Sequence, residues 1–228
     1  MYTCGGVAGK RTYPDGCAIA YALDVIGERW ALLIVRELLY RPRRFTELAE
    51  VLPGISTNSL TQRLKELEEQ GIVRRFQLAP PSDAWVYELT PFGRTLEPVL
   101  QALGHWGSTL PEQRAGQPMS VASLLGALHT HFSPERAYGL TVTVGLKLGR
   151  DVLTLRIEGG ALIIQPGLAE ACDLVLTTSS TVLTQLILFK APLEPYRFSG
   201  ALRIEGDAAR LLQVIELFPL SDTNSRME

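Results

Sequence analysis

One stretch, Phe45 to Leu89, leaves this chain little choice of local fold. It reads as two short helices and a β-hairpin: FTELAEVL, a turn at PGI, STNSLTQRLKELEEQ, a stop at Gly71, then IVRRFQL and WVYEL. The second helix has defined ends. Ser56 can cap it by accepting a bond from an otherwise orphan backbone N–H. Ile55 before the cap and Leu60 inside the helix are spaced as a hydrophobic staple. Gly71 suits the left-handed position after the last turn, with Ile72 packing back on Leu67.

On a helical wheel Leu60, Leu64 and Leu67 form the buried stripe. The opposite face carries Asn58, Thr61, Gln62 and Lys65, whose side chains have the reach and hydrogen-bonding groups to meet bases and phosphates in a major groove. Thr57 and Arg63 complete the candidate DNA-binding set on this helix. An ordinary solvated face is the alternative reading of the same residues.

Net charge decides little here. The 228 residues carry a formal charge of −2, with 46% hydrophobic and 20% charged residues. Up to residue 115 there are 13 Lys and Arg against 13 Asp and Glu; the remainder has 9 against 11. Any DNA contact must therefore rest on local clusters, with a modest electrostatic term. Cys4, Cys17 and Cys172 show neither CxxC pairing nor metal-ligand spacing, which argues against a disulfide framework or structural zinc. The N-terminus lacks the apolar core of a signal peptide, and the apolar run Ala31 to Val35 is too short for a membrane span. The chain reads as cytoplasmic and nucleoid-associated.

Residues 1–16 read as an irregular arm. Cys17 to Ile26 is a short apolar helix, and Arg29 to Leu39 a second one with Trp30, Leu33, Ile34 and Leu38 on its inner side. Arg41, Arg43 and Arg44 then form the densest positive cluster, a candidate for phosphate contact if it is not simply a surface charge run. After Gly71 the hairpin strands are joined by APPSDA, and Arg74 and Arg75 sit at the hairpin base as further candidates. Thr90 caps a helix that begins with Pro91 and carries Phe92, Leu96, Val99, Leu100, Leu103 and Trp106; Pro98 is expected to kink it near its middle.

Residues 17–107 resemble the HxlR-type winged-helix transcription regulators, a branch near the MarR group. The resemblance is carried by Cys17 with ALDVIGERWALLIVRELLYRPRRFTEL, by LPGISTNSLTQRLKELEEQGIV, and by YELTPFG and LGHWG. It implies a DNA-binding homodimer, joined through the first helix and the helix after the hairpin. Such a dimer reads a pseudo-palindromic double-stranded operator with half-sites ~34–36 Å apart or multiples of that. The hairpin tip departs from the family pattern, being acidic at Asp83 and lacking the basic residue often present there. In some HxlR-type proteins the cysteine at the position of Cys17 senses oxidants or electrophiles, which makes Cys17 a possible redox site. That role needs exposure and a lowered thiol pKa, and a small buried cysteine is the alternative.

Pro111 to Pro118 reads as a linker, placing one domain at residues 1–115 and another at 116–228. The second begins with a helix bearing Val121, Leu124, Leu125, Leu128 and Phe132. Period two then takes over: Leu140, Val142, Val144, Leu146 and Leu148 alternate with smaller or polar residues. Further strands follow in DVLTLRIE, ALIIQ, DLVLTT and ALRIE, with a helix opening near Ser180 and a last one capped by Asp207 and bearing Leu211, Leu212, Ile215 and Phe218. The expected fold class is α+β, a winged helix-turn-helix domain followed by an antiparallel sheet with helices on one face. The tail SDTNSRME reads as disordered.

Residues 119–220 resemble the sterol-carrier-protein fold, through LTLRIEGGALIIQPG, CDLVLTTSSTVLTQLI and FSGALRIEGDAARLLQVIELF. This implies binding of an apolar small molecule or lipid in a tunnel between sheet and helices. Candidate pocket residues are Phe132, Leu186, Phe189, Tyr196, Phe198, Leu212 and Phe218, each of which could equally be core. His129 and His131, two apart at a helix end, read as capping or solvated. There is no Gly-rich phosphate loop, no HExxH and no GxSxG, so the chain reads as non-enzymatic, without cofactor or metal. The leading functional reading is a sequence-specific DNA-binding regulator modulated by an apolar effector. The alternatives are a lipid-binding or carrier protein that dimerises through its winged helix, and a regulator gated by Cys17.

Overall fold

The computed structural model describes residues 12–110 and 117–219. Most of the N-terminal arm, the middle of the linker and the tail from residue 220 lie outside the described residues. The chain divides into two compact units, one formed by residues up to 35 together with 42–94, the other by 36–41 together with 95 onward.

The first unit contains α1 (Ala18–Ile26), the start of α2 (Ala31–Leu38), α3 (Phe45–Val51), α4 (Thr57–Glu69), the hairpin β1 (Val73–Gln77) and β2 (Trp85–Leu89), and the single turn α5 (Pro91–Arg94). Leu48 and Leu52, Leu60, Leu64 and Leu67, and Ile72, Val73, Val86 and Leu89 are all buried. The hairpin is antiparallel with Arg74 opposite Glu88 and Arg75 opposite Tyr87. One finding differs from the sequence expectation in α2. Trp30 has φ +80 and stands outside the helix, so the inner face starts at Ala31 and runs through Ile34, Val35 and Leu38, leaving Leu33 exposed. Arg29 lies over the Trp30 ring, 5.1 Å from its centroid.

Pro98 breaks rather than kinks the helix that follows the hairpin. The chain forms α5, then restarts as α6 (Glu97–Ser108) with Pro98 in its first turn, where a missing N–H forfeits no intrahelical bond. α6 packs on α7 (Val121–His131), and a Cβ added to Gly104 would lie 3.1 Å from the Thr130 hydroxyl. This close approach accompanies the grouping of α6 with the second unit.

The rest of the second unit comprises β3 (Val142–Leu148), β4 (Asp151–Glu158), β5 (Ala161–Pro166), β6 (Leu174–Thr178), α8 (Ser180–Leu188), α9 (Glu194–Phe198), β7 (Arg203–Gly206) and α10 (Ala208–Ile215). Strand order is β5-β4-β3-β6-β7. The sheet is mixed, not wholly antiparallel as expected: β3 and β6 run parallel, Val144 beside Leu174 and Leu148 beside Thr178. Val142, Val144, Leu146, Leu153, Leu155 and Ile157 meet Leu124, Leu125 and Leu128 of α7, Leu183, Leu186 and Ile187 of α8, and Leu211 and Val214 of α10 in one core. Ser179 and Asp207 cap α8 and α10, accepting from the N–H groups of Val182 and Ala209.

The parallel pair is made possible by residues 167–173, which return across the face of the sheet that the core helices do not cover. Buried Thr154 anchors this strap, donating to the Gly167 carbonyl at 2.8 Å and accepting from the Ala169 N–H at 2.8 Å. Gly145 lies beneath it; a Cβ there would come within 2.8 Å of Leu168 and 3.3 Å of the Cys172 sulfur. A glycine inside a strand marks such a close approach. Thr154→Val keeps the shape of the side chain but removes both bonds. It should cost about 2–3 kcal/mol, read as a lowered urea midpoint.

Candidate nucleic-acid interface and an apolar cavity

α4 has the termini expected of it. The Ser56 hydroxyl accepts from the Ser59 N–H at 3.1 Å. At the other end Gly71 takes φ +68, Ile72 N–H donates to the Leu67 carbonyl at 2.9 Å, and Gly71 N–H donates to Glu68 at 2.9 Å. These two bonds are the Schellman pattern. With Leu60, Leu64 and Leu67 turned inward, Thr57, Asn58, Thr61, Gln62 and Lys65 are all exposed on the other side.

Several of these groups are held by neighbours on the same helix. The Thr61 hydroxyl donates to the Thr57 carbonyl at 2.9 Å, and Gln62 Nε2 donates to Glu66 at 2.8 Å. Lys65 lies 3.8 Å from Glu69. Arg63 belongs to the flank rather than the exposed face. Its guanidinium meets Glu66 at 2.5 Å and Glu28 at 3.5 Å with only 16% of the side chain exposed, so its charge is spent inside the protein and its expected DNA role is not supported by its position.

The arginine cluster disperses. Arg41 donates to Asp151 at 2.6 Å within the second unit. Arg43 is buried, 4% exposed, because its backbone adds a bridge to the hairpin, exchanging bonds with Tyr87 of 3.0 and 2.8 Å. That burial corrects the expectation that Arg43 offers its guanidinium to a phosphate. Arg44 remains exposed at the start of α3. Its N–H donates to Glu47 at 2.7 Å, and its side chain reaches Ser82 at the hairpin tip, 3.1 Å away. On the hairpin, Arg74 is paired with Glu88. Arg75 stacks over Trp85, 4.5 Å from its centroid, and stays exposed. Burial raises the Tyr87 pKa, against a smaller lowering by Arg75, so its phenol stays protonated.

The sequence has relatives among known proteins. The HxlR-like helix-turn-helix model matches residues 25–115. The HTH-type transcriptional regulator YybR of Bacillus subtilis (strain 168) is 38% identical over 104 residues, covering 44% of this chain and 82% of its own length. The chain belongs to the HxlR family. A second model, the SCP-2 sterol transfer family, matches residues 130–219, so this HxlR-type transcriptional regulator carries a C-terminal sterol-transfer domain. The regulator sll1512 of Synechocystis sp. is 40% identical over 101 residues, 43% of this chain and 73% of that protein. Among solved structures, the reduced form of the regulator YodB from B. subtilis is 37% identical, covers 42% of this chain and 95% of its own, and has a TM-score of 0.38.

Cys17 occupies the N-cap position of α1, exposed, with its N–H donated to the Asp15 carboxylate at 2.9 Å. In the second unit the seven expected pocket residues do not converge. Leu186 and Phe218 are fully buried, and Phe132 and Tyr196 pack at the core's edge, with the Phe132 and Phe218 rings 5.8 Å apart. Leu212 is on the outer side of α10, and Phe198 is 98% exposed. Phe189 alone of the seven lines a cavity of about 340 Å³, which is walled by the end of α2 and the residues after it, α6, α7 and the end of α8.

His129 and His131 line that cavity too, half-buried rather than solvated. Both belong to the last turn of α7. Burial holds His129 below the ordinary histidine range, with Glu97 pulling the other way; burial, and then the charge of His105, lowers His131. Tyr40 is raised by burial and then by Glu97. What sequence reading missed was the stripe Glu97, Gln101, Gly104 and Ser108, small and polar residues at helical spacing on the face of α6 opposite its large apolar side chains. Among the described residues no cluster of His, Cys, Asp or Glu could hold a metal, and no helix is long and apolar enough to cross a membrane.

A histidine with a depressed folded pKa takes its proton more readily in the unfolded chain. Its contribution to stability is present above the ordinary pKa of about 6.5 and lost as pH falls below it. The double variant His129→Gln, His131→Gln should therefore lose less stability than wild type between about pH 7.5 and about pH 5.5, measured as thermal midpoints in matched buffers.

Proposed function

We propose that the protein acts as a homodimer that reads a pseudo-palindromic operator through α4, and that an apolar molecule held by the second unit alters its affinity for DNA. The observation that carries the reading is the exposed face of α4, which presents Asn58, Thr61 and Gln62 from a rigidly capped helix. A helix of this kind, set in the major groove, brings its N-terminal residues to base edges. Arg44 and Arg75 flank it with exposed charge and fit phosphate contact, while Arg43, Arg63 and Arg74 serve the fold. In the free protein Gln62 is bonded to Glu66. Reading a base would exchange that bond, so Gln62 discriminates between sequences more than it adds affinity.

Two helices with exposed large apolar side chains favour self-association. α1 exposes Ile19, Tyr21 and Leu23, and α6 exposes Val99, Leu103 and Trp106. Exposed apolar patches of this kind on regular elements fit protein–protein contact. Regulation requires that the effector bind the DNA-competent and incompetent dimers with different affinity. The reading places the protein on cytoplasmic DNA with no catalytic role.

A salt-titrated mobility shift with DNA from beside its own gene tests this. Wild type should select one sequence over the rest. Gln62→Ala should relax that preference at one base position, by about 1–3 kcal/mol. Arg44→Ala should weaken all sequences alike and reduce the log–log salt slope by about one. Equal binding of wild type to every sequence would sink the proposal.

A further inference from the structure

The cavity of about 340 Å³ beside α6 and α7 lies at the small end of the range for small-molecule pockets, roughly 300–1,000 Å³. Leu39, Leu100, Met119 and Phe189 give it apolar lining. Its charged and titratable groups come from three elements. Arg36 and Tyr40 belong to α2 and the residues after it, Glu97 to α6, and His129 and His131 to α7.

These charges do not cancel evenly. Arg36 gives both Nε and Nη2 to one oxygen of Glu37, at 3.1 and 2.8 Å, and the same oxygen accepts from Ser120 at 2.7 Å. The guanidinium is thus neutralised by a buried carboxylate. The lowered pKa values of both histidines leave them neutral at neutral pH, and the Tyr40 hydroxyl stays protonated. The carboxylate of Glu97, felt by both Tyr40 and His129, is left as the uncompensated charge on the wall. An anion would face that carboxylate; a cation would be matched by it.

We propose that this cavity is a binding site for a small apolar amine, its aromatic or aliphatic body between α6 and α7 and its ammonium group against Glu97. The site is distinct from the sheet–helix core, and it deepens the effector reading by naming where a regulatory ligand sits and what it is. α6 connects the two roles. Glu97, Leu100 and Gly104 face the cavity while Val99, Leu103 and Trp106 on its other side are exposed. A ligand that shifts α6 would therefore act on the surface offered for self-association.

Three indoles of one size and different charge test the site on the full-length chain by isothermal titration calorimetry: tryptamine, the neutral alcohol tryptophol, and indole-3-acetate. Tryptamine should bind roughly tenfold more tightly than indole-3-acetate, with tryptophol between them. Glu97→Gln should bring tryptamine to the level of tryptophol and leave tryptophol unchanged. Gly126 lines the cavity, and a Cβ added there meets nothing within 4 Å. Gly126→Leu should thus fill the space, fold with an unchanged or raised melting point given leucine's better helix propensity, and abolish binding of all three. Equal or stronger binding of the acid, no binding of any of them, or full binding to a folded Gly126→Leu protein would each overturn the site. Adding tryptamine to the mobility shift keeps the two claims separate. Binding that obeys these variants but leaves operator affinity unchanged supports the site and refutes the effector reading for this ligand class.

Discussion

The turn of backbone at Gly71 and Ile72 holds the first unit together. It ends α4 through the paired bonds to Leu67 and Glu68, and it starts β1 two residues later. The same short segment receives the far end of the hairpin. Thr90 donates its N–H to the Ile72 carbonyl at 3.0 Å and its hydroxyl to the Gly71 carbonyl at 2.6 Å. α5 then closes over it, so tightly that a Cβ on Gly93 would sit 2.1 Å from the Ile72 oxygen. The exposed face of α4 is therefore aimed by both ends of the hairpin and not by its own packing alone. A reading surface needs this rigidity, since hydrogen bonds to base edges lose discrimination when the helix can rock.

Charge has a smaller part than the arginine count implies. Arg41, Arg63 and Arg74 each meet a carboxylate, and Arg43 is buried. Arg44 and Arg75 remain on the surface, one tied to the hairpin tip and the other stacked on Trp85. With net charge near zero, long-range attraction to DNA is weak. The exposed face of α4 carries mainly neutral hydrogen-bonding side chains, Asn58, Thr61 and Gln62. The hairpin, stiffened by its prolines and by aromatic–guanidinium stacking, offers shape more than charge.

The second unit is arranged by a different constraint. Once β3, β4 and β5 have formed as consecutive hairpins, the next strand can join the open edge of β3 only if the chain returns across the sheet. Thr154 and Gly145 accommodate that return, one by bonding the strap and the other by leaving room for it. The crossing makes β3 and β6 parallel and leaves the opposite face to α7, α8 and α10. A cavity lies beside this core, where α6 meets α7 across two glycines and a stripe of polar side chains.

Features that depend on neighbours in the chain were legible in the residues. The caps at Ser56, Thr90 and Asp207, the left-handed Gly71, the buried stripe of α4 and the alternation in β3 and β4 all follow from spacing and residue type, because the bonds concerned close within a few residues. Family membership was equally legible, being carried by contiguous motifs. Which arginines stay exposed was not, since Arg43 is buried by a bridge to Tyr87 and Arg41 is claimed by Asp151, partners distant in sequence. Periodicity put Leu212 inward and could not see that Leu212 and Phe198 face water. The parallel strand pair, the break at Pro98 and the cavity beside Glu97 also required the tertiary structure. Each comes from segments far apart in the chain competing for the same space, and no local pattern records the outcome of that competition.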